Sequence, residues 1–533
     1  MDGNVTIALR TKREYLKAER MARHMAEQSL YELILANIND GILPEDFMLP
    51  KEQQPGGFAF ADGARDGMCR YHMIHSGLDA AGTKMMAKAL RAAAKANYNE
   101  ADHLFTELGK SYLPINIVDD FQSYIIDHAN KLPANNVYCT AVYLVLHSQN
   151  KEAVKFGIEM LELFSSPNNQ TKSMIRNVGL SDEFTIFAIW AMQKWENGNE
   201  EVFELAKKVR SWGKIHSVEA LSPDTQEIRD WLFMNGVYNS VQEAYSALTV
   251  WEKADVADRL QRDLTEEEFT AATDIVEALL NEGPVPGISR VNDAETHILN
   301  YLHQAKQRKL AAEAYDMILT LHNWAEDQDA GFESVKEITS DMLKSEQCRK
   351  AVMDAVKEGK SLRLADSLGV PYRAELLQCM KDDFSNHFYN CRYLMDAPEY
   401  VDTTVRLFEE RIPLEKLQGE LRNDVGFGED YEITSQLDFI LQELRDKPFT
   451  GIRLVIAGLN SPTVRNRNGA LRVLQGWTAE KHLPLKDLSA DLYEAVESLK
   501  VREISDGPRE TIEKLLNGEI YSEADDEENE EDE

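Results

Sequence analysis

Cys69, His72, His75 and Asp79 stand three, three and four residues apart. On one helix that spacing would bring all four side chains to one face. Thiolate, imidazole and carboxylate are the ligand types of a zinc or iron centre. Asp62 and Asp66, in and beside the Gly-rich loop Gly63-Ala64-Arg65-Asp66-Gly67, would add carboxylates. The same spacing is common among surface and capping residues, and that plainer role is the leading expectation; a divalent metal, if the chain holds one, belongs here. Cys379, His387 and Cys391 form a looser set, in which only His387 and Cys391 are one helical turn apart. Their neighbours Phe384, Phe388, Tyr389 and Tyr393 mark that stretch as core. His216 has Glu219 three residues on, but general acid–base work needs a reacting group beside it in space. Its expected role is a local hydrogen bond or packing on Trp212. The 63–67 loop lacks a Gly-Lys-Ser/Thr ending and a preceding strand, which excludes a P-loop.

The elements that must position these residues read as helices. Ala18, Met21, Ala22, Met25, Leu33 and Ala36 form one apolar stripe, so residues 5–39 are expected to be a single long helix, stopped by Asp40-Gly41. Its first half is basic (Arg10, Lys12, Arg13, Lys17, Arg20, Arg23). Residues 40–68 are irregular and hold Pro44, Pro50, Pro55 and the interleaved Phe58 and Phe60. From about residue 78 one helical pattern follows another. Val154, Ile158, Leu161 and Phe164 make one face; Phe184, Phe187, Ala188, Ala191 and Trp195 make another. At Ser222-Pro223 and Ser461-Pro462 a serine is expected to cap a new helix, with proline at its first position. Ile452, Val455, Ile456 and Leu459 would form the hairpin partner of the helix after Ser461. Period-two alternation is almost absent.

The chain of 533 residues carries 58 Lys and Arg against 92 Asp and Glu, a formal charge of −34. That balance argues against a general nucleic-acid binder and against docking on anionic lipid. Residues 523–533 hold nine acids and no base, the composition of a disordered tail. Five unpatterned cysteines and the lack of an apolar signal core point to a reduced, soluble, cytoplasmic protein with no membrane span.

Trp212-Gly213-Lys214-Ile215-His216-Ser217-Val218-Glu219-Ala220-Leu221, followed by Glu227-Ile228-Arg229-Asp230-Trp231-Leu232 and Asn239-Ser240, resembles bacterial HEAT-like (armadillo-type) α-solenoid repeat proteins. Residues 461–474 resemble the second helix of a HEAT unit. The chain is also similar to chains labelled limonene hydroxylase, yet it shows no haem-thiolate loop, no dinucleotide turn and no evident pair of His ligands with a carboxylate. The resemblance implies an all-α, HEAT-like solenoid of stacked helical hairpins. The expected organisation is 1–77, a long helix and Gly/Pro loop; 78–255, a helical array; 256–345, an acidic helical segment; 346–518, a second array; and 519–533, the acidic tail. Such arrays act through a concave surface. The expected function is a non-catalytic scaffold for a protein partner, without a cofactor. Arg229, Arg465, Arg467, Asn468 and Arg472 would select acidic groups there. The alternative is a metal- or small-molecule-dependent enzyme, of the hydroxylase type the label suggests, with its site near residues 58–79.

Overall fold

A computed structural model of the chain describes residues 28–50, 60–73, 77–328, 331–417, 419–423, 426 and 431–520. Among the described residues all extended regular structure is helical, apart from an isolated bridge between Asn39 and Ile42. No helix among them is long and apolar enough to cross a membrane. The basic half of the expected first helix, Phe58, His75 and the acidic tail lie outside the described residues.

The chain divides into two compact units. One runs to Gln307 and includes Trp324–Val335; the other holds Arg308–Asn323 and the residues from Lys336 onward. In the first, the helices Ala80–Ala94 and Tyr98–Ser111 pack on each other, as do Ala134–His147 and Lys151–Glu162, and Asp182–Gln193 and Gly198–Ala206. Contacts also skip one or more helices: Asp182–Gln193 packs on both Lys151–Glu162 and Trp212–Ala220. The helix Lys151–Glu162 is the centre of this unit. Every residue from Lys151 to Leu161 is buried, its charged ones included. Phe156 meets Phe105 and Phe121 with ring centroids 5.2 and 5.1 Å apart, a geometry that adds to the area they bury.

In the second unit Ile452–Leu459 packs on Val464–Lys481 across a four-residue connection, the hairpin expected from the sequence. Gly458 permits their close approach, since a Cβ there would lie 2.8 Å from the Ala470 methyl. Trp477 is fully buried and donates its indole N–H to the Leu444 carbonyl at 2.7 Å.

Three local expectations are corrected. The residues 28–39 are not the end of one long helix. A new helix, Leu30–Asn37, starts at Ser29, whose hydroxyl accepts from the Glu32 amide while Glu32 reaches back to the Ser29 amide. This capping box is a start signal, and it overrides the apolar stripe. Asp40 and Gly41 do both take left-handed backbone just beyond it. Ser461 and Pro462 precede the helix start: the N-cap is Thr463, and the Ser461 hydroxyl donates instead to Asn466 Oδ1 at 3.0 Å. Likewise the helix after Ser222-Pro223 starts at Gln226, and Thr225 caps it by accepting from the Ile228 amide. Proline turns the chain in both places, and a threonine two or three residues after the serine sits where the helix begins.

Candidate functional site

Residues 60–73 are built into the first unit, not looped over it. Gly63 has left-handed backbone, which glycine adopts at no steric penalty, and starts the helix Ala64–His72. A Cβ on Gly63 would meet the Asp182 carbonyl at 2.6 Å, and one on Gly67 would meet the Trp212 ring at 2.2 Å. The two glycines therefore let this short helix lie directly against Asp182–Gln193 and Trp212–Ala220. Asp66, between them, is carried into the interior.

There it joins a cluster of charges. Lys155, 1 % exposed, has Nζ 2.6 Å from Glu183, 2.8 Å from Asp66 and 3.3 Å from Glu152. Lys151 lies 2.7 Å from Asp62 and 3.5 Å from Glu183. Glu183 also accepts the Gly63 amide at 3.0 Å, and Asp62 accepts the Leu49 amide at 2.8 Å. Glu159, one turn beyond Lys155, is buried with both carboxyl oxygens unpartnered. Acids thus outnumber the two lysines, and the titration follows from that excess. Burial pushes Glu152 up to about 7. Burial, aided by Glu162, lifts Glu159 well above the carboxylate range, so it keeps its proton at neutral pH. Burial also raises Asp66, with Lys155 opposing. Burial would raise Glu183 as well, but Lys155 and Lys151 hold it low. Burial would strip Lys155 of its proton, but Asp66, Glu152 and Glu183 overcome that and keep it charged.

The far end of the segment is fixed by a second set of bonds. Arg70 Nη2 and Nε donate to Glu219 at 2.7 and 3.3 Å, and the Tyr71 hydroxyl donates to Glu219 at 3.1 Å. Tyr71 stacks on His216, with centroids 6.2 Å apart and planes at 10°. Of the two roles expected for His216, packing on Trp212 is the one found, at 6.0 Å; the local hydrogen bond is not made, since neither ring nitrogen has a partner. Burial brings its pKa down to about 4, so the imidazole is neutral.

The four spaced residues do not share a helix. Their helix ends at His72, and Met73 is extended. Asp79 is the N-cap of the next helix, accepting the Gly82 amide and the Tyr112 hydroxyl, both at 2.7 Å. His72 Nε2 pairs with the Tyr245 hydroxyl at 2.8 Å. Cys69 is buried against Met73, Sγ to Sδ 3.7 Å, and burial pushes its thiol up. In the second unit Cys379 donates to the Lys357 carbonyl at 3.4 Å, and Cys391 is buried. Among the described residues no three His, Cys, Asp or Glu gather so as to hold a metal ion.

Of the basic residues expected to line a groove, Arg467 is not at the surface at all. It is 0 % exposed; it pairs with Glu503 through Nε at 2.7 Å and Nη2 at 2.9 Å, and it also donates to the carbonyls of Ser461, Pro462 and Arg422. It fastens the turn before its own helix. Arg465 donates to Ser435 at 3.0 Å and lies 3.6 Å from Asp438. Arg472 is exposed and Asn468 half-buried. Arg229 is held by the Pro223 carbonyl, Gln226 and Asp255. An open cleft of about 640 Å³ nearby contains Arg259 and Arg262, each already paired with an acid, Asp230 and Glu268.

Lys151, Lys155, Glu152, Glu159 and Glu183 were not singled out from the sequence. Lys151, Lys155, Glu159 and Glu162 recur at helical spacing, a pattern that does not by itself mark them as buried. The signal available was the acid–glycine pattern at 62–67, whose two acids complement Lys151 and Lys155.

No family model matches the chain, and neither the curated proteins nor the solved structures contain a match to it.

Proposed function

We propose that the chain is a non-catalytic scaffold, an α-solenoid of stacked helical hairpins that offers its surface to protein partners. Support for the solenoid comes from the pairing of consecutive helices together with packing onto a helix further along the chain, the pattern by which hairpins bury faces they cannot bury alone. The observation that carries the binding reading is the seat of residues 60–73. A short helix with two glycines and an inward carboxylate rests on the helices that hold Glu183 and Trp212, and on the lysines beneath. Helix-in-groove recognition uses the same elements: small residues for close approach, an anchor in the interior and charged bonds at the rim.

Partner capture with the full chain as bait tests this. The scaffold reading expects a stoichiometric protein partner that is lost when Arg465 and Arg472 are both changed to Glu, or that a peptide of residues 60–73 displaces. The competing reading, a metal- or small-molecule-dependent enzyme centred on residues 58–79, expects no partner. It expects instead a stoichiometric metal ion in the purified protein that disappears in His72→Ala and His75→Ala.

A further inference from the structure

The buried residues of the helix Ala64–His72 are Asp66, Gly67 and Cys69. Gly67 has no side chain, which leaves Cys69 as the apolar one. The helix beneath, Lys151–Glu162, buries Val154, Phe156, Ile158, Met160 and Leu161 besides its charged residues. The hold of the short helix on the interior is therefore mainly ionic. Asp66 on Lys155 is its anchor, helped by Asp62 on Lys151 and the Gly63 amide on Glu183. The bonds of Arg70 and Tyr71 to Glu219 lie further out. A segment with so little apolar burial opens at a lower free energy than the core helices under it.

The interior it enters is short of cations. Glu152 Oε1 accepts from Lys155 at 3.3 Å, but its Oε2 has no partner, and neither carboxyl oxygen of Glu159 has one. A buried carboxylate without a donor or cation is costly when ionised, so a proton is the missing partner. The groups acting on Glu152 are Lys155 on its own helix, Asp66 and Arg65 on Ala64–His72, and Glu183 on Asp182–Gln193. Those acting on Glu159 are Glu162, Glu152 and Lys155 on its own helix, and Asp66. Glu162 in turn has Lys194 at 3.5 Å. The other helices packed here bring uncharged groups: Gly109 lies against Glu152, Gln122 donates to the Glu159 carbonyl at 3.3 Å, and Ala141, Leu144 and Val145 lie at Gly157. Asp102, the buried acid of Tyr98–Ser111, is directed at Ser148.

Loss of the protons on Glu152 and Glu159 leaves Lys155 facing more negative charge than it can balance. The part most easily moved is the segment that carries Asp66. We propose that the cluster is a proton-gated latch: residues 60–73 stay seated while Glu152 and Glu159 hold protons, and leave the seat when those protons are lost. Burial sets Glu152 at about 7 and lifts Glu159 well above the carboxylate range. A proton held more tightly in the seated form favours seating at low pH, and that advantage is lost as the pH rises through 7. The gating needs no partner, so it stands apart from the scaffold reading.

The test is hydrogen exchange on the full chain between about pH 6 and about pH 8, corrected for the intrinsic pH dependence of amide exchange. For one carboxyl that titrates at about 7 when seated and at its ordinary 4.5 when open, the seated-to-open ratio falls about tenfold over that interval. The expected result is therefore about a tenfold loss of protection in peptides covering 60–73, with peptides covering 151–162 changing by less than about threefold. Glu152→Gln cannot ionise and should flatten the loss. Asp66→Asn removes the charge that is expelled and should reduce it, which keeps the variant arm readable if one of the two folds poorly. Protection in 60–73 that does not change with pH in the wild type overturns the latch. So does a loss shared equally by 151–162, which would be opening of the whole unit, or an undiminished pH response in the variants.

Discussion

Replacing Lys155 by Met should cost far more than replacing Asp66 by Asn, although the two are partners. Lys155 lies within 3.3 Å of three carboxylates, and Lys151 reaches only one of these, Glu183, at 3.5 Å. Without Lys155, Asp66 and Glu152 remain buried with no cation at bonding distance. Breaking a buried pair in this way costs about 3–5 kcal/mol. Asp66→Asn removes one acid from a cluster that has too many. Lys155 keeps Glu183 at 2.6 Å, and the repulsion between Asp66 and Glu183 is relieved. The lost charge-assisted contact, about 1.5–3 kcal/mol, is then partly offset, leaving a net of about 1 kcal/mol. With a urea m-value of about 2–3 kcal/mol/M, the midpoint should fall by about 1–2 M for Lys155→Met and by less than about 0.5 M for Asp66→Asn. Urea titration read by hydrogen exchange in peptides covering 60–73 and 151–162 confines the measurement to the first unit. If Asp66→Asn cost as much as Lys155→Met, the cluster would be a simple one-to-one pair and the reasoning from excess acid would fail.

Gly67→Ala should place a methyl 2.2 Å from the Trp212 ring and loosen residues 60–73, at a cost of about 1–3 kcal/mol; faster proteolytic cleavage within 60–73 is the readout, and unchanged cleavage would deny the close seat. Two groups should show opposite pH linkage. Glu152 is raised from 4.5 to about 7, so the stability it adds is complete below 4.5 and is lost as the pH rises to 7. Glu152→Gln should therefore gain on the wild type by about 3 kcal/mol over that interval. His216 is lowered from 6.5 to about 4, so its contribution is complete above 6.5 and is lost as the pH falls to 4. His216→Phe should gain on the wild type by about 3 kcal/mol in that direction, as measured by denaturation at stepped pH. Arg467→Ala should destabilise the second unit by about 3–5 kcal/mol because Glu503 is left buried and unpaired, whereas Arg472→Ala, at an exposed position, should stay within about 0.5 kcal/mol. Thermal unfolding of the two variants compares them directly.

The helical class was legible because apolar residues recur at helical spacing along most of the chain, and the 452–459 hairpin was legible because its pattern is bounded by Gly451 and the Asn460–Pro462 turn. Helix starts were read less well. Ser29-x-x-Glu32 is a local signal that a long stripe obscured, and at 222–225 and 461–463 the chain offers a serine and a threonine close together, between which tertiary packing decides. The site was half legible. In the sequence Gly63, Asp66 and Gly67 read as a loop that adds a carboxylate to a metal set. Their actual partners, Lys155, Glu183 and Trp212, lie between about 90 and 145 residues away, and charge complementarity over that distance leaves no periodic trace. Arg467 was chosen for its place in a repeat-like helix. That place is what buries it, since its turn and Glu503 close over the guanidinium.

We propose that the face under residues 60–73 is a receptor for a short helix. It is tested most directly by supplying that helix from outside. In a full-length chain carrying Gly67→Leu, which evicts the internal segment, a fluorescent peptide of residues 60–73 should bind saturably. Binding should be lost when the peptide carries Asp66→Lys, or when the chain also carries Lys155→Met. No binding, or equal binding of the native and the Asp66→Lys peptides by a folded chain, would contradict a helix-binding face.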